Sequence, residues 1–480
     1  MDQITVIDKF IESNSGKKIV VVQGLGFVGA VMSIVCANAD EDYAVIGVDL
    51  PNETGLDRIN KLNSGVFPIA SSDPKVEQYF QSAINKKNFL ATSSEYAYSL
   101  ANYVIVDVNL DVQKNIDTLG ESFNSFEVDM SPFEGAIKAI GRNIQEQTVV
   151  VIETTVPPGT CQNYVVPIIK SEFNKRSLDG DKIFIGHSYE RVMPGPGYID
   201  SIINFYRVYS GINEESANKV EKFLKTIIST KEYPLTRLHN TTATETAKVL
   251  ENSYRAMNIA FMVEWSRFAE NSGINLYEIV NAIRLRPTHS NMMLPGIGVG
   301  GYCLTKDPLL ASWASQTQTK DILKLEESEK AVKINDSMPK QAFEFIQKQY
   351  KDPLKDVKTL ILGISYRGNV GDTRYSPVEV LYKLLLDEGA KIKFTDPYLD
   401  YWEEIDSKVP MVITSELIKE SELIIFASFH TDYKTDETLY ETLNNTEGKY
   451  IIDTLGLLSE KQINTLRQKH TVKVLGRGNL

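Results

Sequence analysis

Two glycine-rich segments of this 480-residue chain carry residues whose types and spacing suit chemistry. The first, Gly24-Leu25-Gly26-Phe27-Val28-Gly29, follows the apolar run 18–23 and has the spacing of a dinucleotide-binding fingerprint. In such a turn the first glycine permits a tight bend, the second lets a pyrophosphate approach the backbone, and the third lets helix and strand pack closely. The amides and positive dipole end of the following helix then hold the phosphates.

A carboxylate follows at the distance that this fingerprint requires. Asp49 stands twenty residues after Gly29, at the end of the second apolar run. There it would accept hydrogen bonds from the adenosine ribose hydroxyls and repel a 2′-phosphate, which favours NAD over NADP. Arg58 either lies near the adenosine end of the cofactor or is an ordinary exposed arginine. We therefore predict an NAD site rather than a glycine turn that binds nothing.

The second segment, residues 296–308, places four glycines within six residues and then a cysteine. A backbone so rich in glycine can approach a ligand closely. Cys303 is followed by Lys306 and Asp307, and nearby positive charge lowers the pKa of a thiol and favours the nucleophilic thiolate. Cys303 is therefore a candidate nucleophile, with a small residue packed in a turn as the alternative.

Tyr302 and Lys306 also match the YxxxK pair of the short-chain dehydrogenases. In those enzymes the pair lies on a helix of a single Rossmann domain. Here we expect it in a glycine-rich loop about 270 residues beyond the fingerprint, so we interpret the match as chance.

Strands and helices alternate around the first segment. Short apolar runs rich in β-branched residues predict strands buried on both faces, and they occupy residues 18–23, 44–49, 103–108, 148–153 and 183–186. Residues 29–39 predict the helix after the fingerprint. Strands separated by helical segments indicate a parallel, doubly wound sheet.

The pattern changes after about residue 211. Residues 244–272 contain no Gly or Pro and carry apolar residues at helical spacing, which predicts one long helix. Its apolar face either packs in the core or also forms a subunit interface. Strand–helix alternation returns after about residue 336, with a helix at 377–388 and strands at 357–364, 391–396, 423–428, 450–453 and 472–475.

We therefore predict an α/β fold, with two Rossmann-like doubly wound domains joined by a central all-helical domain that contains a long helix. The NAD-binding domain is expected at residues 1–213, with residues 1–17 as an N-terminal extension. The central domain is expected at residues 214–330 and the second α/β domain at 331–480. A length of 480 residues suits about three domains.

Charge and cysteine content exclude several classes of protein. Lys and Arg total 51 and Asp and Glu total 63, a formal net charge of −12 that is unsuited to binding nucleic acid. Three cysteines cannot form a disulfide framework and indicate a reducing compartment. Cys36 is expected in the buried core, whereas Cys161 could be buried or reactive. The five histidines, His430 among them, lack metal-ligand spacing, so we predict no metal.

Residues 19–39 contain no charge and are long enough, at 21 residues, to span a bilayer. Gln23, Asn38 and three glycines instead favour a buried strand, turn and helix. The N-terminus lacks the apolar core and cleavage site of a signal peptide. We therefore expect a cytoplasmic protein that does not enter a membrane.

Six motifs resemble, in order, those of the nucleotide-sugar 6-dehydrogenases, the UDP-glucose/GDP-mannose dehydrogenase family. They are the fingerprint at 24–29, ETTVPPGT at 153–160, YERVMPG at 189–195, KVLEN at 248–252, the cysteine loop at 299–308 and GDTRYSP at 371–377. The resemblance covers about residues 18–479. It implies a four-electron oxidation that converts carbon 6 of a UDP-sugar from primary alcohol to carboxylate and reduces two NAD. A role in polysaccharide biosynthesis is implied as well.

The resemblance also assigns catalytic roles. Cys303 would attack the intermediate aldehyde to form a thiohemiacetal, and oxidation of this adduct gives a thioester for hydrolysis. Lys248 and Asn252, four residues apart on one helix, would stabilise oxyanions near carbon 6. Lys248 considered alone would be an ordinary solvated lysine.

Asp307 and Thr155 would position the water, and Glu190 would act as general base in thioester hydrolysis. The implied cofactor contacts are Gly24–Gly29, Asp49, Arg58, Val108, Thr155, Lys306 and Arg374. The implied substrate contacts are Glu190, Arg191, Val192, Lys248, Asn252, Gly300, Tyr366 and Arg367. A homodimer through the central helix is implied, with Arg286 as the candidate arginine that reaches a partner's site.

Departures from the family pattern bear on the substrate. Pro194 stands where relatives acting on UDP-glucose have a second glutamate, and GVGGYC resembles the GVGGHC of UDP-N-acetylhexosamine enzymes, with Tyr302 in place of histidine. Residues 109–111 replace a Thr-Pro pair on the nicotinamide side, and Arg367 replaces a lysine. These points favour a UDP-N-acetylhexosamine of the mannosamine type, with UDP-glucose as the alternative.

Two other functions remain open. A two-electron dehydrogenase of the hydroxyacid type shares a Rossmann domain and a helical domain, but it gives no reason for Cys303 or for a third domain. A non-catalytic NAD-binding regulator would keep its function without that cysteine.

Overall fold

The computed structural model describes residues 2–69, 71–116, 123–318, 323–350 and 353–480. Its helices are α1 Gln3–Ser13, α2 Gly29–Ala37, α3 Glu53–Asn63, α4 Pro74–Lys86, α5 Ser131–Asn143, α6 Val166–Lys175, α7 Asp200–Ile203, α8 Glu214–Ile227, α9 Thr241–Ser272, α10 Leu276–Arg284, α11 Cys303–Gln318, α12 Glu326–Tyr350, α13 Pro377–Asp387, α14 Ser415–Glu420, α15 Asp432–Thr435, α16 Glu437–Asn444 and α17 Glu460–Leu466. A π-helical turn at Cys161–Val165 leads into α6.

The strands fall into two groups along the chain. The first comprises β1 Lys18–Gln23, β2 Tyr43–Val48, β3 Phe89–Thr92, β4 Tyr103–Val106, β5 Asp111–Ile116, β6 Phe123–Asp129, β7 Val149–Ile152, β8 Phe184–His187, β9 Val208–Gly211 and β10 Thr236–Arg237. The second comprises β11 Lys358–Leu362, β12 Lys391–Thr395, β13 Tyr401–Trp402, β14 Ser407–Lys408, β15 Leu423–Phe426, β16 Tyr450–Asp453 and β17 Thr471–Val474.

The chain forms two compact units, each with its own sheet. The N-terminal unit contains residues 1–113, 127–250 and 310–324, and the C-terminal unit contains residues 114–126, 251–309 and 325–480. The N-terminal sheet has the order β10-β9-β8-β7-β4-β1-β2-β3, and its strands are parallel except for the β8–β9 pair. The C-terminal sheet, β12-β11-β15-β16-β17, is entirely parallel.

The predicted α/β class is confirmed, with two sheets that are parallel except for the β8–β9 pair and a central helical region that includes the 32-residue helix α9. Strand β1 has the predicted bounds, and β2 begins and ends one residue earlier than predicted. The antiparallel strand β9 and the small β5–β6 sheet are additions.

Helix α2 explains the uncharged run that could have been mistaken for a membrane span. All nine of its residues are buried, so its whole circumference is covered by protein. Nearby, the rings of Tyr103 and Phe223 stack with centroids 4.4 Å apart, which joins β4 to α8 in the same core. Among the helices in the described parts of the chain, none has both the length and the apolar character needed to cross a membrane.

Candidate active site

The glycine fingerprint forms the turn between β1 and α2. The Gly24 amide donates to the carbonyl of Val48 at 2.8 Å, which ties the turn to the neighbouring strand. A Cβ on Gly29 would lie 1.8 Å from the carbonyl oxygen of Gly24, so α2 can begin here only with glycine. A Cβ on Gly26 would meet nothing within 4 Å. The middle glycine thus faces open space, as a turn that admits a pyrophosphate requires.

Asp49 follows β2 and lies against this turn. One carboxylate oxygen, Oδ2, accepts the Leu25 amide at 3.2 Å and faces Nη1 of Arg58 at 3.3 Å. The other oxygen, Oδ1, accepts the amide of Leu50 at 2.8 Å. Since a carboxylate has about four acceptor positions, Asp49 retains acceptor capacity for ribose hydroxyls. Arg58 is not an isolated surface arginine, because it pairs with Asp49.

Val108 and Thr155 occupy the same edge of the N-terminal sheet. They follow β4 and β7, which pair in parallel, and β4 also pairs with β1 ahead of the fingerprint. The carboxyl ends of adjacent parallel strands form the usual ligand-binding edge of such sheets. Both residues are half-buried there. The structure therefore brings these two candidate cofactor residues to the edge that carries Gly24.

The segment after Thr155 is held by a carboxylate that sequence reasoning did not single out. Glu245, buried near the start of α9, accepts the amides of Gly159 at 2.6 Å and Cys161 at 2.9 Å. Burial raises the pKa of the Glu245 carboxyl above its ordinary value. Cys161 is buried with it, which resolves the choice left open for this residue in favour of burial.

Lys248 and Glu190 meet within the N-terminal unit. Nζ of Lys248 donates to the backbone carbonyl of Glu190 at 2.9 Å and lies 4.0 Å from its carboxylate oxygen Oε1. The same Nζ lies 5.4 Å from the ring centroid of Tyr189, a cation–π contact. Lys248 is buried, so it is not the solvated helix lysine that its position alone would suggest.

Arg191 and Val192 flank Glu190 and are held by local contacts. The Arg191 guanidinium donates to the carbonyl of Tyr206 at 2.6 Å and packs on the rings of Tyr189 and Phe205. The Val192 amide donates to the Glu190 carboxylate. These contacts fix the Glu190 backbone that Lys248 binds.

Asp107, directly after β4, is a carboxyl that the sequence analysis did not consider. Desolvation raises its pKa well above the ordinary value, and the nearby charge of Glu190 adds to this effect. Arg207 forms a buried ion pair with Glu153 in the same region, and burial lowers the pKa of its guanidinium to about 10. The sequence does contain a sign of Asp107, because this carboxylate directly follows the apolar run of β4.

The cysteine loop lies in the C-terminal unit, and it ends earlier than predicted because a helix begins at Cys303. Cys303 is exposed and is the first residue of α11, so Lys306 lies in the first helical turn and not in a loop. The positive end of the helix dipole favours negative charge on a group at this position. A Cβ on Gly300 would lie 2.4 Å from the carbonyl oxygen of Tyr375 and 2.5 Å from Cβ of Tyr366, so only glycine allows this close approach.

Asn252, Lys306 and Asp307 form a buried hydrogen-bonded cluster. Asn252 donates through Nδ2 to Oδ2 of Asp307 at 2.7 Å, and Lys306 donates through Nζ to Oδ1 at 2.9 Å. All three side chains are almost inaccessible to solvent. The Lys306 ammonium, expected to bind cofactor, thus pairs with Asp307. A buried charge that is paired and hydrogen-bonded is held in a fixed position.

Tyr302 lies between two residues of the GDTRYSP motif. The Arg374 guanidinium lies 4.7 Å from the Tyr302 ring centroid, and the ring of Tyr375 meets it edge-on at 5.2 Å. Arg374 also binds Asp372 through two hydrogen bonds, at 2.9 and 2.6 Å. The Gly301 amide donates to the Arg374 carbonyl at 2.9 Å. The motif therefore holds the cysteine loop from the C-terminal side.

The other candidate substrate residues of this unit are Tyr366, which is half-buried, and the exposed arginines Arg367 and Arg286. Tyr366 packs against Gly300 and Gly301, and burial raises the pKa of its hydroxyl to about 12. Arg367 is exposed beside it, and Arg286 is exposed in the turn after α10. The roles of these residues toward ligands stay predictions.

Family models of the UDP-glucose/GDP-mannose dehydrogenase family match three parts of the chain. The NAD-binding domain model matches residues 17–228, the central domain model 242–337 and the UDP-binding domain model 360–460. A UDP-N-acetyl-D-mannosamine dehydrogenase of Methanocaldococcus jannaschii is 30% identical over 455 residues, covering 94% of this chain and 95% of that protein.

Solved structures agree with these matches. A UDP-D-ManNAc dehydrogenase from Pyrococcus horikoshii has a TM-score of 0.77 at 26% identity, over 96% of this chain and 100% of the other. A UDP-glucose dehydrogenase from Pyrobaculum islandicum has a TM-score of 0.77 at 21% identity, over 96% and 98%. The second likeness concerns the fold alone.

Proposed function

Because the chain belongs to the UDP-glucose/GDP-mannose dehydrogenase family and is an NAD-dependent nucleotide-sugar dehydrogenase, we propose that its substrate is UDP-N-acetylmannosamine and its product the uronic acid. The relatives that carry this sugar in their names, Pro194, and the GVGGYC loop, which matches GVGGHC except at Tyr302, support the choice over UDP-glucose. The observation that carries the proposal is the exposed Cys303 thiol at the start of α11, three residues before Lys306 of the buried Lys306–Asp307 pair. A two-electron dehydrogenase would not need that thiol.

The proposed reaction balances over two oxidations and one hydrolysis. The alcohol at carbon 6 loses a hydride and a proton to become an aldehyde. The Cys303 sulfur then bonds to this carbon, and the thiohemiacetal loses a second hydride and proton to become a thioester. Water breaks the sulfur–carbon bond and releases the carboxylate. Bound NAD supplies the hydride acceptor for both oxidations, so one sugar, two NAD⁺ and one water give one uronate, two NADH and three protons.

The residues of the chain have distinct roles in this sequence. Lys248 and Asn252, one helical turn apart on α9, stabilise the oxygen at carbon 6 while it carries negative charge. Asp307 and Thr155 position the water, and Glu190 accepts its proton during hydrolysis. Lys248 positions Glu190 for that role, because its ammonium binds the Glu190 backbone carbonyl at 2.9 Å and lies 4.0 Å from the carboxylate.

A panel of UDP-sugars tests the proposal. Incubation with UDP-N-acetylmannosamine and NAD is expected to yield two NADH per sugar consumed, measured by absorbance, with the uronic acid identified by mass. UDP-glucose and UDP-N-acetylglucosamine are expected to react at least about tenfold less efficiently, since one lost polar contact in the sugar pocket accounts for about 1.4 kcal/mol. One NADH per sugar would support a two-electron enzyme, and no turnover with any sugar would support a regulator.

The proposed assembly is a homodimer through α9. The side chains of Tyr254, Phe261, Trp265 and Phe268 recur at helical spacing on this helix and are between 44% and 55% exposed. Consecutive rings contact each other edge-on, with Phe261–Trp265 and Trp265–Phe268 centroids 6.2 and 5.6 Å apart. A continuous exposed aromatic stripe of this kind is typical of the core of a protein interface. A second copy of the chain would cover it.

Charge placed in this stripe should separate the subunits. The double variant Trp265→Glu, Phe268→Glu is expected to sediment at half the mass of the parent, because burying two carboxylates in an apolar interface is strongly unfavourable. Val412→Glu, at an apolar residue that is 71% exposed outside α9, serves as the matched control and should keep the parent's mass. A parent that is already monomeric would contradict the assembly.

A further inference from the structure

The two sheets each carry an aspartate at the end of their second strand, but the two carboxylates are used differently. Asp49 follows β2 and accepts a single amide from the adjoining turn, that of Leu25, through Oδ2. Asp396 follows β12, and its Oδ2 receives the amides of Ile364 at 2.9 Å and Ser365 at 3.0 Å. The Ser365 hydroxyl reaches the same oxygen at 2.9 Å. The other oxygen, Oδ1, accepts the Tyr398 amide at 3.0 Å. Both oxygens of Asp396 are therefore bound to groups of the protein, and the side chain is completely buried.

His430 is a further partner of that oxygen. Its Nε2 lies 3.0 Å from Oδ2 of Asp396, and both side chains are completely buried. Its Nδ1 accepts the backbone amide of Asn369 at 2.9 Å, so the ring proton must be on Nε2 and points to the carboxylate. Burial disfavours the charged form of Asp396, but the bond from His430 and the backbone amides outweigh it and hold the pKa of this carboxyl below its ordinary value.

The two buried groups hold residues 364–369 at both ends. Asp396 binds the amides at the start of this segment, and His430 binds the amide of Asn369 at its end. The Asn369 side chain in turn accepts the amide and hydroxyl of Thr431, which follows His430. The Tyr398 ring stacks on the imidazole at 4.9 Å and closes the network. Hydrogen bonds to buried side chains therefore fix the conformation of this segment at both ends.

This segment carries Tyr366 and Arg367, the candidate substrate residues of the C-terminal unit. The Tyr366 side chain packs against Gly300 and Gly301, directly before the cysteine. A shift of the segment would therefore move both candidate substrate residues and the support of the cysteine loop. The geometry points to His430 as a positioning residue for nucleotide-sugar binding: it acts through Asp396 and Asn369, and this role rests on the proposed function.

A second buried histidine provides a matched control. His470, in the same unit, also accepts a backbone amide through Nδ1, from Lys449 at 3.2 Å, and its Nε2 faces a carbonyl, that of Leu443, at 2.8 Å. Its Nδ1 is used as in His430, but its Nε2 faces a neutral carbonyl and not a carboxylate, and it has no contact with residues 364–369 among the described hydrogen bonds. A general loss of stability is therefore expected in both His430→Leu and His470→Leu, whereas a change in KM for the UDP-sugar is expected only in His430→Leu.

The experiment compares these variants in the full-length protein. His430→Leu is expected to raise KM for the UDP-sugar about tenfold, the loss expected when about 1.4 kcal/mol of binding is forfeited, with KM for NAD unchanged. His470→Leu should also lower Tm but leave both KM values at parental levels. His430→Gln, which keeps a donor toward Asp396, and His430→Asn, which keeps an acceptor toward Asn369, should each recover part of the lost affinity.

Amide hydrogen exchange of residues 364–369 makes the test independent of turnover. Faster exchange of Asn369 and Ser365 in His430→Leu than in His470→Leu supports positioning. Equal exchange and an unchanged KM for the UDP-sugar in His430→Leu would overturn it. If the parent neither binds UDP in calorimetry nor oxidises any UDP-sugar, the proposed function fails, whereas a parent that binds and turns over while His430→Leu matches it removes only this inference.

Discussion

Replacing Cys303 with alanine is expected to lower the rate of uronic acid formation at least about 1000-fold, because no thioester can form without the thiol. The variant should still bind NAD and UDP-sugar, since the side chain is exposed and fills no core position. Any sugar it oxidises should stop at the aldehyde and yield at most one NADH. Product mass and NADH absorbance in single-turnover reactions measure both effects.

The two other cysteines provide the control for this experiment. Cys36 lies in α2 and Cys161 in the π-helical turn before α6, and both are inaccessible to solvent. Iodoacetamide should therefore label Cys303 alone in the native protein and inactivate it, and bound UDP-sugar should slow the labelling. Cys36→Ala should keep parental turnover. Uronic acid formation at the parental rate by Cys303→Ala would exclude the thioester mechanism.

The buried parallel strands were predictable because each of them is an unbroken run of apolar residues. β1 and β16 have the predicted bounds, since a strand covered on both faces reads as an unbroken apolar run. β9, Val208–Gly211, pairs antiparallel and contains Ser and Gly in four residues, so it gives no such signal. The start of α11 at Cys303 was missed for a related reason. Four glycines before it and Pro308 within it indicate a loop.

Individual residues of the candidate site were predictable from the sequence, but the contacts between them were not. Helical spacing places Lys248 and Asn252 on one face of α9, but their partners are 58 and 55 residues away in sequence, at Glu190 and Asp307. No periodicity in a single sequence encodes such contacts, and only the family motifs pointed to these residues. His430 shows the same limit more strongly. It was judged by metal-ligand spacing, whereas its partners Asp396 and Asn369 lie 34 and 61 residues away.

A methyl group on Gly26, the middle glycine of the fingerprint, should weaken NAD binding without lowering the stability of the fold. A Cβ on Gly26 meets nothing within 4 Å, so Gly26→Ala is expected to fold with a parental Tm. The same methyl would occupy space that a pyrophosphate needs at the turn. We expect the Kd for NAD to rise about 100-fold, which corresponds to about 2.7 kcal/mol of lost binding free energy. Calorimetric titration with NAD measures this change.

Two other glycines show whether the effect belongs to the ligand. Gly29→Ala brings its methyl to 1.8 Å from the Gly24 carbonyl oxygen, so it should lose stability by roughly 1–3 kcal/mol, as overpacked sites do. Gly135→Ala, exposed in α5 with no atom within 4 Å of the new methyl, should leave NAD binding unchanged and stabilise the helix by about 1 kcal/mol. Parental NAD affinity in Gly26→Ala would place the pyrophosphate away from this turn. Because the methyl meets no protein atom within 4 Å, a loss of affinity at constant Tm would indicate contact between the methyl and the bound dinucleotide.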